Sequence, residues 1–467
     1  MATIITQKPL YKTLVPVGQE IIFALQNDTV VQAQVEVKFV ARVHISDDVI
    51  VSLSNTGTQI GIFRTVPNNV GTGIFDFRNV IETYVSGDHT TGKNADVKTV
   101  GDPVGGTYPL HLVDKLSRNK NLSKFFAVQF SVEYLDTATG VIIEQDFANS
   151  TSYNIFNGYI SYDAILKQVK NNFGFDMETA PSYVLGAADS KFLTNMPTTQ
   201  YVNAEDYMTL TLFRDNNFDK YVINSFGFDN LPIASASYTV LNNVANGGGA
   251  FNNNTQYNFL YMGVGPANIR AWFAGFDTAL TNGTLNYYDI RSYTPTASGA
   301  SENMRFYVNC PSLKNYEPIR LCWLNQWGGW DYYTFTKKSS KTFTTKGTTY
   351  NQLGGSWNES SYKINSFKGG KKSFRVNTTE KIKINTDYIT EDEGKAFEYL
   401  INSPEVMLLD SYISESHNEF AEKANNQYTQ PVRLATKKIT RKTIANDKLI
   451  QFTFEIEKSK TLRTQSI

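Results

Sequence analysis

Two cysteines and four histidines in 467 residues leave little room for thiol or metal chemistry. Cys310 and Cys322 permit at most one bridge, and a four-cysteine zinc site is excluded. Cys310 shares its strand face with Phe306 and Val308, whereas Cys322 lies on the face opposite Leu321 and Trp323. Two reduced, half-buried thiols are therefore expected rather than a bridge. His44, His89, His111 and His417 are scattered without ligand spacing, which predicts structural or solvated roles. Neither charge is in excess: 44 basic residues face 44 acidic ones, so no global field points to nucleic acid, membrane or acidic substrates. No run of about 18 apolar residues occurs, and no membrane-spanning helix is expected. The opening MATIITQKPLYK lacks a basic region leading into an apolar core, so it is read as no signal peptide. HExxH, GxSxG and Walker patterns are all missing. No catalytic residue, metal ligand or cofactor is assigned, and no enzyme is expected.

What the chain has is aromatics, 13% of its residues, with 27 Tyr and 30 Phe, and this composition favours strands. The predicted class is mainly β: multidomain β-sandwich or β-barrel units with a few short helices. Four segments are expected. Residues 1–160 form an N-terminal β-sandwich, 161–200 a helical junction, 201–300 a central β-rich domain, and 301–467 a C-terminal β-barrel crossed by one helix.

Strands are predicted at Glu20 to Leu25, Val30 to Ile45, Val49 to Leu53, Phe125 to Leu135 and Val141 to Asp146. In the longest, Val35, Val37, Phe39, Ala41 and Val43 alternate with Gln34, Glu36, Lys38, Val40 and Arg42, the pattern of a half-buried strand. A helix capped by Asp76 should carry Phe77, Val80, Ile81, Tyr84 and Val85 on one face. Ile165, Leu166 and Val169 suggest a short helix in the junction. The central segment should hold strands at Met208 to Phe213, Tyr238 to Leu241, Gln256 to Met262 and Asn268 to Phe273. Long exposed loops are expected at 87–107, 242–255 and 337–372, where Gly, Asn, Thr and Lys show no periodicity.

The C-terminal segment is the most legible. Ile319 to Leu324 and Trp330 to Phe335 are two aromatic strands around Gly328-Gly329, a β-hairpin. Its candidate core or interface anchors are Trp323, Trp327, Trp330, Asp331, Tyr332 and Tyr333. Ser373 to Ile384 reads as a strand-pair candidate. Thr390-Glu391-Asp392-Glu393 is a capping box opening a helix over 390–403, with Ala396, Phe397, Leu400 and Ile401 as its buried stripe and Pro404 as its stop. Strands follow at Val406 to Leu409, Val432 to Leu434, Ile439 to Thr443 and Ile450 to Ile456.

Several segments taken in order resemble one family: VPVGQEIIF, FNGYISYDA, FLTNMP, IRLCWLNQWGGWDYYTF, INTDYITEDEGKAFEYLINSPEVMLLD and KLIQFTFEIEKSKTLRTQ. Their order is similar to that of structural proteins of tailed bacteriophages and prophages of Bacteroidetes-like hosts, including crAss-like phages. The resemblance covers most of the chain and is weakest over 200–300. It implies a non-enzymatic virion protein of the tail, baseplate or neck, assembled in the host cytoplasm into a six- or twelve-fold homo-oligomeric ring. Its partners would be other virion proteins. Contact with DNA is left open.

An alternative is a carbohydrate-binding or depolymerising tail protein acting on host surface glycans. Asp331 would then supply one of two carboxylates, with sugar stacked on Trp327 and Trp330. Three tryptophans around a hairpin more often serve as core or interface anchors. Lys437, Lys438, Arg441, Lys442, Lys448, Lys458, Lys460 and Arg463 make the C-terminal end basic; a solvated sheet face or a charged contact to a neighbouring subunit is expected there, with a nucleic-acid or lipopolysaccharide surface as the alternative.

Overall fold

The computed structural model describes residues 3–9, 14–47, 49–51, 53, 57–91, 109–162, 182–185, 188–214, 220–239, 259–294, 296, 298–309, 316–356, 359–409, 429–439 and 450–463. Cys310, the 165–169 helix, the 242–255 loop, most of the 87–107 loop, His417, Arg441, Lys442 and Lys448 lie outside these residues. The chain is mainly β, with 51% strand against 12% helix among the described residues, so its fold is set by how strands pair. No helix among the described residues is long and apolar enough to cross a membrane.

Two compact units are present. The first comprises Met1–Pro311, Leu324–Tyr332 and Tyr412–Asn426; the second comprises Ser312–Trp323, Tyr333–Ser411 and Gln427–Ile467. The segments 1–160, 161–200 and 201–300 thus all belong to the first unit, and Leu324–Tyr332 of the C-terminal segment joins them.

The first unit opens with two packed sheets. One has the order β1 (Ile4–Gln7), β3 (Ile22–Gln26), β6 (Thr72–Asp76). The other runs β2 (Leu14–Pro16), β10 (Tyr153–Phe156), β8 (Ser123–Asp136), β4 (Val35–Ser46), β5 (Thr58–Thr65), with β9 (Val141–Asn149) also on β8. Phe23 of β3 joins them: its ring lies 5.3 Å from Phe130, 6.4 Å from Phe126 and 5.9 Å from Tyr153. Such a layer of inward rings is what a β-sandwich buries. In β4 the alternation is seen from Val37 onward, with Phe39, Ala41 and Val43 buried and Lys38 and Arg42 half-buried, except at Val40, expected on the outer face but fully buried. A register shift at Glu36, whose φ is +55°, turns Val35 outward and exposes it.

The expected strand start at Val30 is a correction. Asp28–Ala33 is a helix, because the Asn27 side chain caps it by accepting from the Val30 amide at 3.2 Å. The helix expected after Asp76 is short, Arg78–Ile81, followed by a 3-10 turn over Glu82–Tyr84. Asp76 Oδ1 does accept from Arg78 N at 3.0 Å, but also from Ile21 N at 3.1 Å. The described residues of Val49 to Leu53 carry no strand; Val49 and Leu53 pack on Ile50, Phe125 and Ala127 instead.

Two further sheets complete this unit. The first has the order β11 (Val184–Leu185), β13 (Thr209–Arg214), β16 (Phe259–Gly263), β7 (Leu116–Arg118). Strand β7 comes from the N-terminal segment and pairs with β16 of the central segment, Leu116 opposite Met262, so one ladder holds both. The second runs β12 (Thr199–Asn203), β18 (Met304–Asn309), β17 (Leu285–Tyr293), β14 (Lys220–Gly227), β15 (Pro232–Thr239). The expected strand Asn268 to Phe273 is another correction. Pro266–Arg270 is helical, with Pro266 in its first turn, where the missing N–H costs nothing.

Among the described residues, the strands of the second unit lie in one seven-stranded sheet: β20 (Trp330–Phe335, of which Tyr333–Phe335 belong to this unit), β19 (Ile319–Leu324, of which Ile319–Trp323 do), β23 (Val406–Leu409), β24 (Thr429–Leu434), β25 (Thr453–Lys458), β22 (Gly370–Asn385), β21 (Ser340–Gln352). Phe335 of β20 lies 6.0 Å from Phe454 of β25, although three strands separate them in the sheet. Neighbouring strands stand about 4.8 Å apart, so a flat sheet would hold these two roughly 19 Å apart. The sheet is therefore curled in the manner of a barrel. The helix Glu391–Asn402 fills the curl. Its Phe397 ring sits 6.1 Å from Trp323, 4.9 Å from Tyr333 and 5.5 Å from Phe454.

The capping box closes as its sequence predicts. Glu393 N donates to Thr390 Oγ1 at 3.3 Å, and Thr390 N donates to Glu393 Oε2 at 2.8 Å. Cys322 is fully rather than half-buried, because β19 is covered on both faces. Burial raises its thiol well above the usual range, which makes it inert.

The expected loop 337–372 is a further correction. Much of it is strand: β21 pairs with β22 from Ser340 opposite Lys383 to Gln352 opposite Gly370. Alternating Thr, Tyr and Phe supply the β-propensity that its Lys, Ser and Gly content masks. The Ser373 to Ile384 candidate pair is one continuous strand, β22.

Candidate functional site

The six aromatic and acidic residues of the hairpin are divided between the two units. Trp327, Trp330, Asp331 and Tyr332 fall in the first unit, Trp323 and Tyr333 in the second. Trp323 and Tyr333 flank Phe397 in the curled sheet, and burial raises the Tyr333 phenol.

Within the first unit, the hairpin tip Leu324–Tyr332 is held by its own turn and by several other segments. Asn325 shapes the turn. Its Oδ1 accepts from Trp327 N at 2.9 Å and Gly329 N at 3.1 Å, and its Nδ2 donates to Leu193 O and Asp331 Oδ1, both at 3.0 Å. Gly328 has φ +74°, and a Cβ there would lie 2.0 Å from the Asn157 carbonyl oxygen. Turn geometry and close approach both demand glycine at that position.

Asp331 is 1% exposed. It accepts from Thr194 Oγ1 at 2.5 Å, Asn195 N at 3.0 Å and Asn325 Nδ2. Burial pushes its carboxyl up to about 6 from 3.8, against the pull of these donors. The connector FLTNMP, which has no regular structure, therefore serves as a cradle for this carboxylate.

Tyr332 and Trp330 reach a second polar cluster. The Tyr332 hydroxyl lies 2.6 Å from His111 Nδ1 and 2.7 Å from Thr209 Oγ1, so one donated and one accepted bond satisfy it. Trp330 Nε1 donates to Asp88 O at 2.7 Å, and its ring packs between His89 and His111, 5.6 and 5.5 Å away. The Asp88 carboxylate accepts from Lys120 N, Asn121 N and the Tyr261 hydroxyl at 2.9, 2.6 and 3.0 Å. Burial raises Asp88 and raises Tyr261 well above its usual range. Asn268 braces the same region by donating to the carbonyls of His111 at 2.8 Å and Val113 at 2.7 Å.

This arrangement ties together chain segments distant in sequence. Trp327 and Trp330 are each 2% exposed, so neither offers a ring face to a sugar. Asp331 is placed as a hydrogen-bond acceptor for backbone and side-chain donors. No family model matches the chain, and no curated protein matches it significantly. Among the described residues, no three His, Cys, Asp or Glu side chains group as metal ligands would.

Asp88, His111, Tyr261 and Asn268 carry no signal in the sequence, since each acts through partners distant along the chain. His111 and Tyr332 are 221 residues apart.

In contrast to the buried hairpin tip, the β21–β22 ribbon is exposed. Strand β22 pairs with β25 only over Lys381–Asn385. From Asn377 outward the ribbon strands pair only with each other among the described residues, and Ser340–Thr349 is exposed throughout. Phe343, Leu353, Ile364 and Phe367 are 57, 73, 80 and 70% exposed there, an apolar load without cover.

Proposed function

We propose that this chain is a non-enzymatic structural subunit of a tailed-phage particle, a tail, baseplate or neck component that assembles with further copies of itself as a symmetric ring beside other virion proteins. The observation that carries the reading is the exposed β21–β22 ribbon on a unit otherwise built around a buried aromatic core. A two-stranded ribbon is marginal in water on its own, and its exposed rings gain most if a neighbour covers them. The resemblance of its segments, taken in order, to tailed-phage structural proteins suggests the setting, and the cohesive hairpin tip suits a part that bears load.

A glycan-acting role has less support. It would require Asp331, Trp327 and Trp330 to face a sugar, and all three are buried.

The test is composition of purified particles. Quantitative mass spectrometry should find the protein in the virion at a stoichiometry matching a six- or twelve-fold ring. Its absence from particles would refute the assignment.

A further inference from the structure

We propose that the β21–β22 ribbon is a strap that docks on the acidic first unit of a second copy of this chain. The inference deepens the ring reading above and rests on it for the meeting of copies. Three observations carry it.

Much of the ribbon is exposed. Strand β21 is mostly exposed, β22 is mostly exposed only over Gly370–Val376, and Phe343, Leu353, Ile364 and Phe367 stand in solvent. Apolar area of this kind favours a protein surface over a purely ionic partner.

The ribbon is also basic in a neutral chain. Residues 340–385 hold nine lysines and arginines against two glutamates, an excess of seven positive charges. Residues 1–311, the bulk of the first unit, hold 27 acids against 20 basic residues, an excess of seven negative charges. The compensation is therefore segregated: the strap carries one sign and the first unit the other. Opposite fields steer a strap toward a neighbour's first unit and fix the polarity of the contact.

Finally, strap-to-strap pairing is disfavoured. β21 is the last strand of its sheet and has an open edge, but Lys341, Lys346 and the irregularity at Thr348/Thr349 work against pairing between two like ribbons. A basic strap on an acidic body is a heterologous contact, the kind that closes rings.

The experiment measures self-association of the full chain by sedimentation across protein concentration and salt. Wild type should assemble, and its apparent Kd should weaken at least about tenfold between low and high salt. The triple variant Lys346→Glu, Lys371→Glu, Arg375→Glu should assemble about a hundredfold less tightly, with an unchanged thermal melt. A double variant, Phe343→Ser with Phe367→Ser, should also weaken assembly, which an ionic effect alone would not produce. Three results would overturn the proposal: wild type monomeric at every concentration, charge-reversed protein assembling as tightly as wild type, or a ribbon that binds an oligonucleotide while self-association is untouched. The two readings fail separately. Protein that self-assembles through the strap yet is missing from particles refutes the virion role alone. Protein present in particles with its strap seated on a different component refutes the strap alone.

Discussion

Asp331 shows how little of a buried carboxylate's setting its neighbours in sequence reveal. Beside two tryptophans it reads as a core or interface anchor, with a carboxylate for a sugar as the alternative; in the fold it is an acceptor for Thr194, Asn195 and Asn325. The partners were not legible because Thr194 and Asn195 lie 137 and 136 residues away. Its raised carboxyl has a consequence for stability. A folded value near 6 against an ordinary 3.8 means the folded state binds the proton more tightly. Its contribution is present in full below the unfolded value and is lost as pH rises through the folded one, with about 3 kcal/mol at stake over that window. Asp331→Asn removes the titration and sets a donor against a donor. Wild type should therefore exceed the variant in stability most at pH 4, with the gap narrowing to pH 6 and then level. Denaturant melts across this range check it, and a gap that widens with pH would contradict it. Gly328 is the second test at this scale. Gly328→Ala meets a carbonyl oxygen and a positive φ together, so a loss of roughly 2–4 kcal/mol is expected in thermal melts. An unchanged melt would show that the tip is not seated as described.

Among the elements, legibility followed how local the cause is. The capping box at Thr390 to Glu393 and the stripe through Phe397 and Leu400 depend on neighbours within a few residues, and the helix Glu391–Asn402 formed as its sequence predicts. The hairpin strands Ile319–Leu324 and Trp330–Phe335 did so for the same reason. The β21–β22 ribbon was hidden because half of its pairing is with residues up to 43 positions away, Ser340 with Lys383, and its polar composition resembles a loop. Asn27 escaped notice for the opposite reason: one side-chain bond turned Asp28–Ala33 from strand to helix. Leu400 is fully buried on the capped helix, so Leu400→Ala should cost the second unit about 2–5 kcal/mol. Chemical denaturation checks this; a variant as stable as wild type would mean the helix does not anchor the curled sheet.

For the whole molecule, the boundaries expected at 160, 200 and 300 rest on shifts in composition, whereas the compact units follow strand pairing. Strand β7 of the first segment lies in one ladder with β16 of the third, and Leu324–Tyr332 joins them from the fourth. Non-local pairing of this kind leaves no local trace in sequence. Removing the ribbon tip, residues 353–369, in favour of a short turn should leave both units folded and weaken assembly, read as an unchanged melt with a smaller sedimenting species. The central claim, a ring subunit strapped to its neighbour, is tested most directly by a symmetric reconstruction of the particle. The account predicts a closed ring of this chain with each β21–β22 ribbon seated on the first unit of the adjacent copy. A particle that lacks the protein, or one in which every ribbon faces open solvent, would contradict it.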